Sequence, residues 1–254
     1  MSFKTLSAKL AAQLDQELMS TGAYSIDQLM ELAGLAVAKA IYKEYPSAPN
    51  QGSALPKILV LVGPGNNGGD GLVAARHLKL WNAYEPIIYY PKRSTKNQLY
   101  GNLVKQLENL GAEEVSTLEK IIELLNDKSH SGIALILDSL FGFSFKPPIR
   151  EPFKDLINYL SENHKSLPPI VSIDIPSGWD VDEGPVDTDI NSSMLVSLTA
   201  PKPCAQKFIK LGDEKGEHKS HYLGGRFITP TIAKKYGIED VLGKYKGDDL
   251  IVKL

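Results

Sequence analysis

The chain has 254 residues, of which 43% are hydrophobic and 23% are charged, and its formal net charge is -2. This length supports one domain with a large core, and the charge gives no basic surface of the kind that nucleic acid requires. The sequence lacks an apolar run long enough to span a membrane and an apolar secretory core at its start. Its single cysteine, Cys204, excludes an internal disulfide and suits a reducing compartment. We therefore expect a cytoplasmic protein, with a mitochondrial pool left open.

The first 45 residues are predicted to form a helical extension. Ser25 and Gln28 have the spacing of a capping box at the start of a helix. Apolar residues then recur at helical spacing from Ile26 to Ile41. This apolar face fits a helix that packs on the core, and a surface that binds a partner is the alternative. Residues 46–56 are rich in Pro, Ser and Asn and are predicted to form a linker.

Strand-like and helix-like segments alternate along the rest of the chain. Runs typical of buried parallel strands cover residues 58–62, 86–90, 133–137, 170–173 and 194–198. Helices are predicted between them over residues 72–81, 98–110, 118–125 and 153–160. This alternation predicts an α/β fold in which a mostly parallel sheet carries helices on both faces. Residues 1–254 are therefore expected to form a single domain, with the helical extension at about 1–45.

A glycine-rich run covers residues 63–71, directly after the first predicted strand. Its glycines are expected to turn with positive φ and to let the backbone approach a ligand, because such loops aim N–H groups at a phosphate. The run contains the pattern G-x-G-x-x-G, which alone is a weak indicator of a dinucleotide site. The side-chain amides of Asn66 and Asn67 suit a sugar, a carboxamide or an ion better than a phosphate alone.

The end of the second predicted strand argues against a redox enzyme. Dinucleotide-dependent dehydrogenases hold a ribose with an acid at this point. Here the strand is followed by Lys92 and Arg93 instead. These two cations either face a phosphate or lie at a solvated strand end.

Two other predicted strands end in an acid. Asp138 follows the third strand and Asp174 follows the fourth, each before a loop that contains glycine. Because the carboxyl ends of parallel strands meet at one edge of a sheet, we expect both acids to lie near Asn67 or Asp70. An acid in this position can instead cap the following loop. Neighbouring carboxylates suit general acid and base roles, and an all-oxygen crevice suits a hard cation rather than zinc.

Four sequence blocks stand in order: VGPGNNGGDG from Val62, DSLFGFSF from Asp138, SIDIPSGWDVDEG from Ser172 and SLTAPK from Ser197. Together they resemble the NAD(P)H-hydrate epimerases, the YjeF N-terminal domain family, over about residues 28–227. The resemblance implies a Rossmann-like three-layer αβα sandwich. It also implies an isomerase that interconverts the R and S forms of hydrated NADH and NADPH, so that a separate dehydratase can restore the cofactor.

The resemblance also assigns residues to the site. It implies that the hydrate contacts Asn66, Asn67, Gly68, Gly69, Asp70, Gly142, Phe143, Ser144, Phe145, Lys146, Pro147, Pro148 and Asp174. It implies that a potassium ion binds to Asn67, Asp138 and Ser177. Epimerisation by loss and return of a hydroxyl group needs a general acid and a base, for which Asp138 is the first candidate and Lys92 the second. Asp138 cannot easily be both a tight ion ligand and a free base, so the proton carrier is left open.

Two other functions stay open at this point. A module that binds nucleotides without turnover would keep the glycine-rich run but would have little need for Asp138 and Lys92. A scaffold protein would use an exposed surface, for which the N-terminal helices are best placed. The same helices could equally form the contact of a homodimer. The hydrate NAD(P)HX is the expected ligand, and neither nucleic acid nor a membrane is expected as a partner.

Overall fold

The computed structural model describes residues 3–47, 54–95, 97–127 and 132–254. Helices and strands alternate over much of this length. In chain order the elements are α1 (Ala8–Met19), α2 (Ile26–Glu44), β1 (Lys57–Val62), α3 (Asn66–Leu80), β2 (Glu85–Tyr89), α4 (Gln98–Asn109), β3 (Glu113–Val115), α5 (Leu118–Asn126), β4 (Ile133–Ser139), α6 (Lys154–Asn163), β5 (Ile170–Ile173), β6 (Met194–Leu198), α7 (Pro203–Lys215), β7 (Ser220–Gly224), α8 (Pro230–Tyr236), α9 (Glu239–Leu242) and β8 (Ile251–Lys253). A short 3-10 helix at His164–Ser166 connects α6 to β5.

The strands of the described residues form one sheet in the order β3-β2-β1-β4-β5-β6-β7-β8. Neighbouring strands pair in parallel, except that β8 pairs antiparallel with β7. From β1 the strand order continues to β2 and β3 on one side of the sheet, whereas β4 and the later strands lie on the other side. Open α/β sheets form a crevice where the strand order reverses in this way, which here is between β1 and β4. The predicted α/β fold with a mostly parallel sheet is confirmed.

Each central strand contributes to two separate cores, because successive side chains of a strand point to opposite faces of the sheet. On β1, the side chains of Ile58, Val60 and Val62 belong to a core shared with α2, α3 and α4. The side chains of Leu59 and Leu61 belong to a second core shared with α5 and α6. Helices therefore cover both faces of the sheet, which gives the three-layer sandwich that the resemblance implies.

Helix α3 begins at Asn66, inside the glycine-rich run and well before the predicted start at residue 72. Gly65 is its N-cap, and no glycine of the run has a positive φ, so the expectation of a left-handed turn is wrong. The glycines are needed for close packing instead. A Cβ atom on Gly71 would overlap the side chain of Ser139. Because the run lacks side chains at such points, α3 can lie directly against the end of β4.

The N-terminal extension consists of two helices separated by a turn. Ser25 and Gln28 form the predicted capping box at the start of α2. Helix α2 packs into the core of the sheet, where Val37 is fully buried, so the core-packing alternative is the one that the structure adopts. Leu14 and Leu18 of α1 are buried in a different cluster, together with side chains of α8 and α9. The extension is thus part of the packed structure.

The pattern of apolar runs predicts the central elements better than the flanking ones. The strands expected at 170–173 and 194–198 coincide with β5 and β6. The pattern does not predict β3, α7, β7, α8, α9 or β8, because their apolar residues are few or interrupted by glycine and proline. The linker expected at 46–56 includes residues 48–53, which lie outside the described residues. Within the described ranges, no helix has both the length and the apolarity that crossing a bilayer requires.

Candidate active site

A cavity of about 490 Å³ opens at the carboxyl-terminal edge of the parallel sheet. Its wall is formed by the segments that follow β1, β4, β5, β6 and β7, together with residues of α1, α2 and α4. Asp70 and Asp174, which sequence reasoning places near each other, both line it. The volume lies in the range of small-molecule sites.

A buried ion pair joins two segments of the wall. The ammonium group of Lys202 contacts Oδ1 of Asp174 and donates a hydrogen bond of 2.8 Å to the carbonyl oxygen of Leu198. Oδ2 of Asp174 accepts a hydrogen bond of 2.9 Å from the backbone N–H of Phe143. Both charged side chains are at most 4% exposed. Since the loss of one partner leaves a buried charge uncompensated, such pairs typically cost about 3–5 kcal/mol to break.

Asp138 is fully buried and is not part of the cavity wall. Its Oδ2 accepts hydrogen bonds from the hydroxyl of Ser172 at 2.7 Å and from the backbone N–H of Ser177 at 2.9 Å. Its Oδ1 accepts a longer bond of 3.3 Å from the backbone N–H of Leu140. Burial raises the pKa of Asp138, and hydrogen bonds from Ser177 and Ser172 oppose this rise. A carboxyl group enclosed in this way is poorly placed to exchange a proton with a molecule in the cavity.

The three residues that the resemblance assigns to potassium are linked through Phe141. Nδ2 of Asn67 donates a hydrogen bond of 2.9 Å to the carbonyl oxygen of Phe141, whose N–H donates a bond of 3.1 Å to Oγ of Ser177. Ser177 in turn bonds to Asp138. Oδ1 of Asn67 accepts no hydrogen bond from any residue that the structure describes. Residues that carry amide, hydroxyl and carboxylate oxygens are thus linked near the turn after β4. Oxygen ligands of these types fit a hard cation.

The described histidine and cysteine side chains, which could supply nitrogen or sulfur ligands to a metal, form no such cluster. Over the described part of the chain, His, Cys, Asp and Glu side chains form no group of three or more that could hold a metal ion. Cys204 is buried, and burial raises the pKa of its thiol to about 12. His221 is also buried, which lowers its pKa to about 3, and its Nε2 lies 2.8 Å from Oγ of Ser197. Both side chains are part of the core.

Two further carboxyl groups, those of Asp15 and Asp70, line the cavity and accept no hydrogen bond from the described residues. Burial raises the pKa of Asp70 well above its ordinary value. The negative charges of Asp174 and Asp15 add to this rise, and Lys202 opposes it. Burial also raises the pKa of Asp15, which Lys202 lowers and Asp174 raises. Both groups therefore hold a proton at a higher pH than an ordinary aspartate.

Known proteins resemble this chain over its whole length. The model of the family described as YjeF-related protein N-terminus matches residues 26–204. A Candida albicans protein named NAD(P)H-hydrate epimerase is 68% identical over 260 residues, which cover 99% of this chain and 98% of that protein. A Saccharomyces cerevisiae protein of the same name is 44% identical, over 100% of this chain and 99% of that protein. The chain belongs to the YjeF-related N-terminal family.

The fold of a solved relative agrees with this membership. The crystal structure of yeast ynu0, YNL200c, matches with a TM-score of 0.88 at 43% identity, over 99% of this chain and 100% of that chain. The resemblance that the four sequence blocks indicate is therefore confirmed at the level of family and fold.

Most of the ligand residues expected for the YjeF-related N-terminal family surround the cavity. Those that line it are Asn66, Asn67, Asp70, Gly142, Phe143, Ser144, Phe145 and Asp174. Those absent from its wall are Gly68, Gly69, Lys146, Pro147 and Pro148, and Lys92, the second candidate for proton transfer, is absent from it as well. Gly69 lies under the side chain of Met30, whereas Lys92 is exposed beyond β2. The roles assigned to these residues stay predictions.

Sequence reasoning misses several polar groups of the wall. Lys202 belongs to a block that carries the resemblance, yet nothing in its spacing indicates that it pairs with Asp174. Tyr100 of α4 donates a hydrogen bond of 2.6 Å to Oδ1 of Asn66. Asp15 lies on α1, outside the segment that matches the YjeF-related family model. An isolated acid on an amphipathic helix is usually solvated, so only the fold indicates its place in the cavity.

We expect the Asp70→Asn substitution to have a stability effect that depends on pH. The folded-state pKa of Asp70 is raised, so the folded protein holds this proton more tightly than the unfolded chain. The stability that this provides is present at low pH and is lost as pH rises through the folded pKa. Relative to the parent, Asp70→Asn should therefore gain at least about 1.4 kcal/mol between pH 4 and pH 8, the energy of one pKa unit. Urea unfolding at a series of pH values measures it.

The matched control for this experiment is Asp213→Asn. Asp213 is exposed in the last turn of α7, away from the cavity wall. Its substitution should change the free energy of unfolding by a similar small amount at every pH. If the relative stability of Asp70→Asn does not rise with pH, the carboxyl of Asp70 does not have a raised pKa.

Proposed function

We propose that this chain interconverts the R and S forms of hydrated NADH and NADPH, NAD(P)HX, in the repair of nicotinamide cofactors. The observation that carries this proposal is the cavity at the sheet edge, whose wall combines carboxyl groups of raised pKa with a buried ion pair. The names of relatives that are 44–68% identical support the same activity. The chain would then be an isomerase.

The surroundings of β2 fit an isomerase better than a dehydrogenase. At the position where a dehydrogenase holds a ribose with an acid, Arg93 forms a hydrogen bond of 2.6 Å with Glu114 of β3. Epimerisation needs no exchange of electrons with a cofactor. The hydroxyl group leaves a ring carbon next to the ring nitrogen, and water returns to the opposite face. One proton must be donated to the leaving oxygen, and one must be removed from the returning water.

The carboxyl groups of the cavity wall favour the iminium cation that forms after the hydroxyl group leaves and before water returns. Carboxyl groups of Asp15, Asp70 and Asp174 line the cavity, and Lys202 is the one ammonium group among the described lining residues. A carboxylate in a poorly solvated site stabilises an iminium ion far more than it would in water. A nucleotide-binding module without turnover, or a scaffold, has no need of buried acids in such a place. The enzyme is therefore the function that we favour.

We also propose that potassium binds to Asn67, Asp138 and Ser177, whose oxygens fit a hard cation. When bound, the ion supplies a fixed positive charge that compensates the buried carboxylate of Asp138. These residues hold the turn after β4, and this turn continues to Phe143, whose N–H bonds to Asp174. We assign Asp138 to the ion rather than to proton transfer. Lys92 is exposed outside the cavity wall, so its predicted role in proton transfer has no support from its position.

The setting of the reaction follows from its chemistry. We propose that a separate NAD(P)H-hydrate dehydratase consumes the S form, so that the epimerase and the dehydratase together return both hydrates to NADH or NADPH. A homodimer through the N-terminal helices stays a prediction. A cytoplasmic location, with a mitochondrial pool left open, also stays a prediction.

An assay coupled to the dehydratase tests the proposed function. The purified chain is mixed with the R form of hydrated NADH, an S-specific dehydratase and its nucleotide, and NADH is followed by absorbance. We expect NADH to appear at a rate that rises with the amount of the chain, because epimerisation then limits recovery. The heat-denatured chain is the control for spontaneous epimerisation. Recovery that stays at the spontaneous rate at every protein concentration would contradict the proposed epimerase.

A comparison of salts tests the proposed ion. At equal ionic strength, potassium chloride should raise the free energy of unfolding relative to lithium chloride, by about 1.4 kcal/mol at ten times the dissociation constant. Asn67→Ala should abolish this difference because it removes a ligand oxygen. Asn66→Ala is the matched control, since the Asn66 amide bonds to Tyr100 instead. An equal response of the parent protein to both salts would exclude a selective potassium site.

A further inference from the structure

The acids of the site differ in whether other protein groups already occupy their oxygens. The carboxylate of Asp174 is paired with Lys202 and accepts an N–H bond from Phe143, and Asp138 accepts three hydrogen bonds. Asp15 and Asp70 accept none from any residue in the described ranges, although both line the cavity. These two groups are therefore the acids whose oxygens remain available to a bound molecule.

Helix α1 brings Asp15 to the cavity through contacts at its start and along its inner face. The backbone N–H of Leu6 donates a hydrogen bond of 2.9 Å to the carbonyl oxygen of Pro201, next to Lys202. Leu14 and Leu18 are almost fully buried on the same helix. These contacts hold the helix beside the turn between β6 and α7, so that Asp15 interacts electrostatically with Lys202 and Asp174.

Helix α3 carries Asp70 into the cavity wall. Its side chain is only 8% exposed. The ionisable groups that face it are Asp15, Asp174 and Lys202, together with Tyr100 of α4, whose own pKa is raised by burial and by the charge of Asp70. Lys202 is already bonded to Asp174, so no cation is reserved for Asp70. Negative charge on Asp15 therefore makes ionisation of Asp70 harder.

Two carboxyl groups that repel each other in this way tend to hold one proton between them over a range of pH. In that state one member is a carboxylic acid and the other is a carboxylate. Epimerisation requires the same combination, because one face of the ring needs a proton donor while the opposite face needs a base. A single carboxyl group fixed on one face could not serve both.

We propose that Asp15 and Asp70 are the acid and the base of the epimerisation, acting on opposite faces of the nicotinamide ring. This inference rests on the proposed function. The protonated member donates its proton to the hydroxyl oxygen, and the C–O bond breaks with its electron pair as water leaves. The lone pair of the ring nitrogen forms a C=N bond. Water then attacks the carbon from the other face, the C=N electrons return to nitrogen, and the second member removes a proton from that water.

The protonation states of the two groups are exchanged at the end of this sequence. The two groups then have the protonation states that the reverse conversion requires. Loss of a proton from one member to solvent and uptake of a proton by the other restore the starting state. One water is released and one is consumed, and no electrons are gained or lost. The more accessible Asp15 provides the route to solvent, since it is only partly buried.

The test compares Asp15→Asn and Asp70→Asn with Asp213→Asn, which removes the same charge from the surface of α7. We expect each cavity variant to lose about 100-fold or more in kcat, the contribution of a general acid or base. The dissociation constant for the hydrate should stay within about threefold of the parent value. Asp213→Asn should retain its activity. A cavity variant that keeps more than a third of the parent kcat would overturn the assignment while the epimerase function stands.

The pH profile of the parent protein tests the pair without any substitution. Its kcat should fall at low pH, when the pair takes up a second proton, and at high pH, when it loses its last one. Both limbs should lie above the ordinary aspartate range near pH 4. A profile without an acidic limb would overturn the pair even if the variants failed to fold. A parent protein that gives no acceleration at any pH would overturn the proposed function and this inference together.

Discussion

The arrangement of the site depends on the buried ion pair between Asp174 and Lys202. Neither charge can be left alone at this depth, so the end of β5 and the turn after β6 must stay together. The pair also fixes the loop after β4 through the N–H of Phe143 and supports the left-handed backbone of Asp174. A non-glycine residue in that conformation costs of order 1 kcal/mol or more, which the surrounding bonds must offset. Three segments of the cavity wall are thus held together through the carboxylate of Asp174.

Because Asp174 is occupied by this pair, the other acids can take different roles. Asp138 is enclosed by hydrogen bonds from Leu140, Ser172 and Ser177 and lies outside the cavity wall. Asp15 and Asp70 accept no hydrogen bond from the described residues, and their pKa values are raised because burial disfavours their charged forms. Similar residues at the same sheet edge therefore differ in chemistry according to their hydrogen-bond partners. Position at the end of a strand alone does not determine which acid carries a proton.

The sequence predicts the central sheet and the family well, because both depend on local patterns. Short apolar runs indicate β5 and β6 with their observed bounds, and the resemblance is confirmed by the relatives. The predicted start of α3 at residue 72 is wrong because a glycine-rich run usually indicates a loop, whereas these glycines allow close helix packing. Asp15 and Lys202 could not be found from spacing, since long-range contacts bring them to the cavity. Whether an acid at a strand end is enclosed or free also depends on such contacts.

The most direct test of this account is a crystal structure of the chain with the NADPH hydrate bound in the presence of potassium. We expect the hydroxyl-bearing carbon of the ring to lie between the carboxyl groups of Asp15 and Asp70. Its hydroxyl oxygen should be within about 3.2 Å of one of them, the reach of a hydrogen bond. A complex in which the phosphates fill this part of the cavity and the nicotinamide ring lies outside it, towards Lys92, would contradict the account.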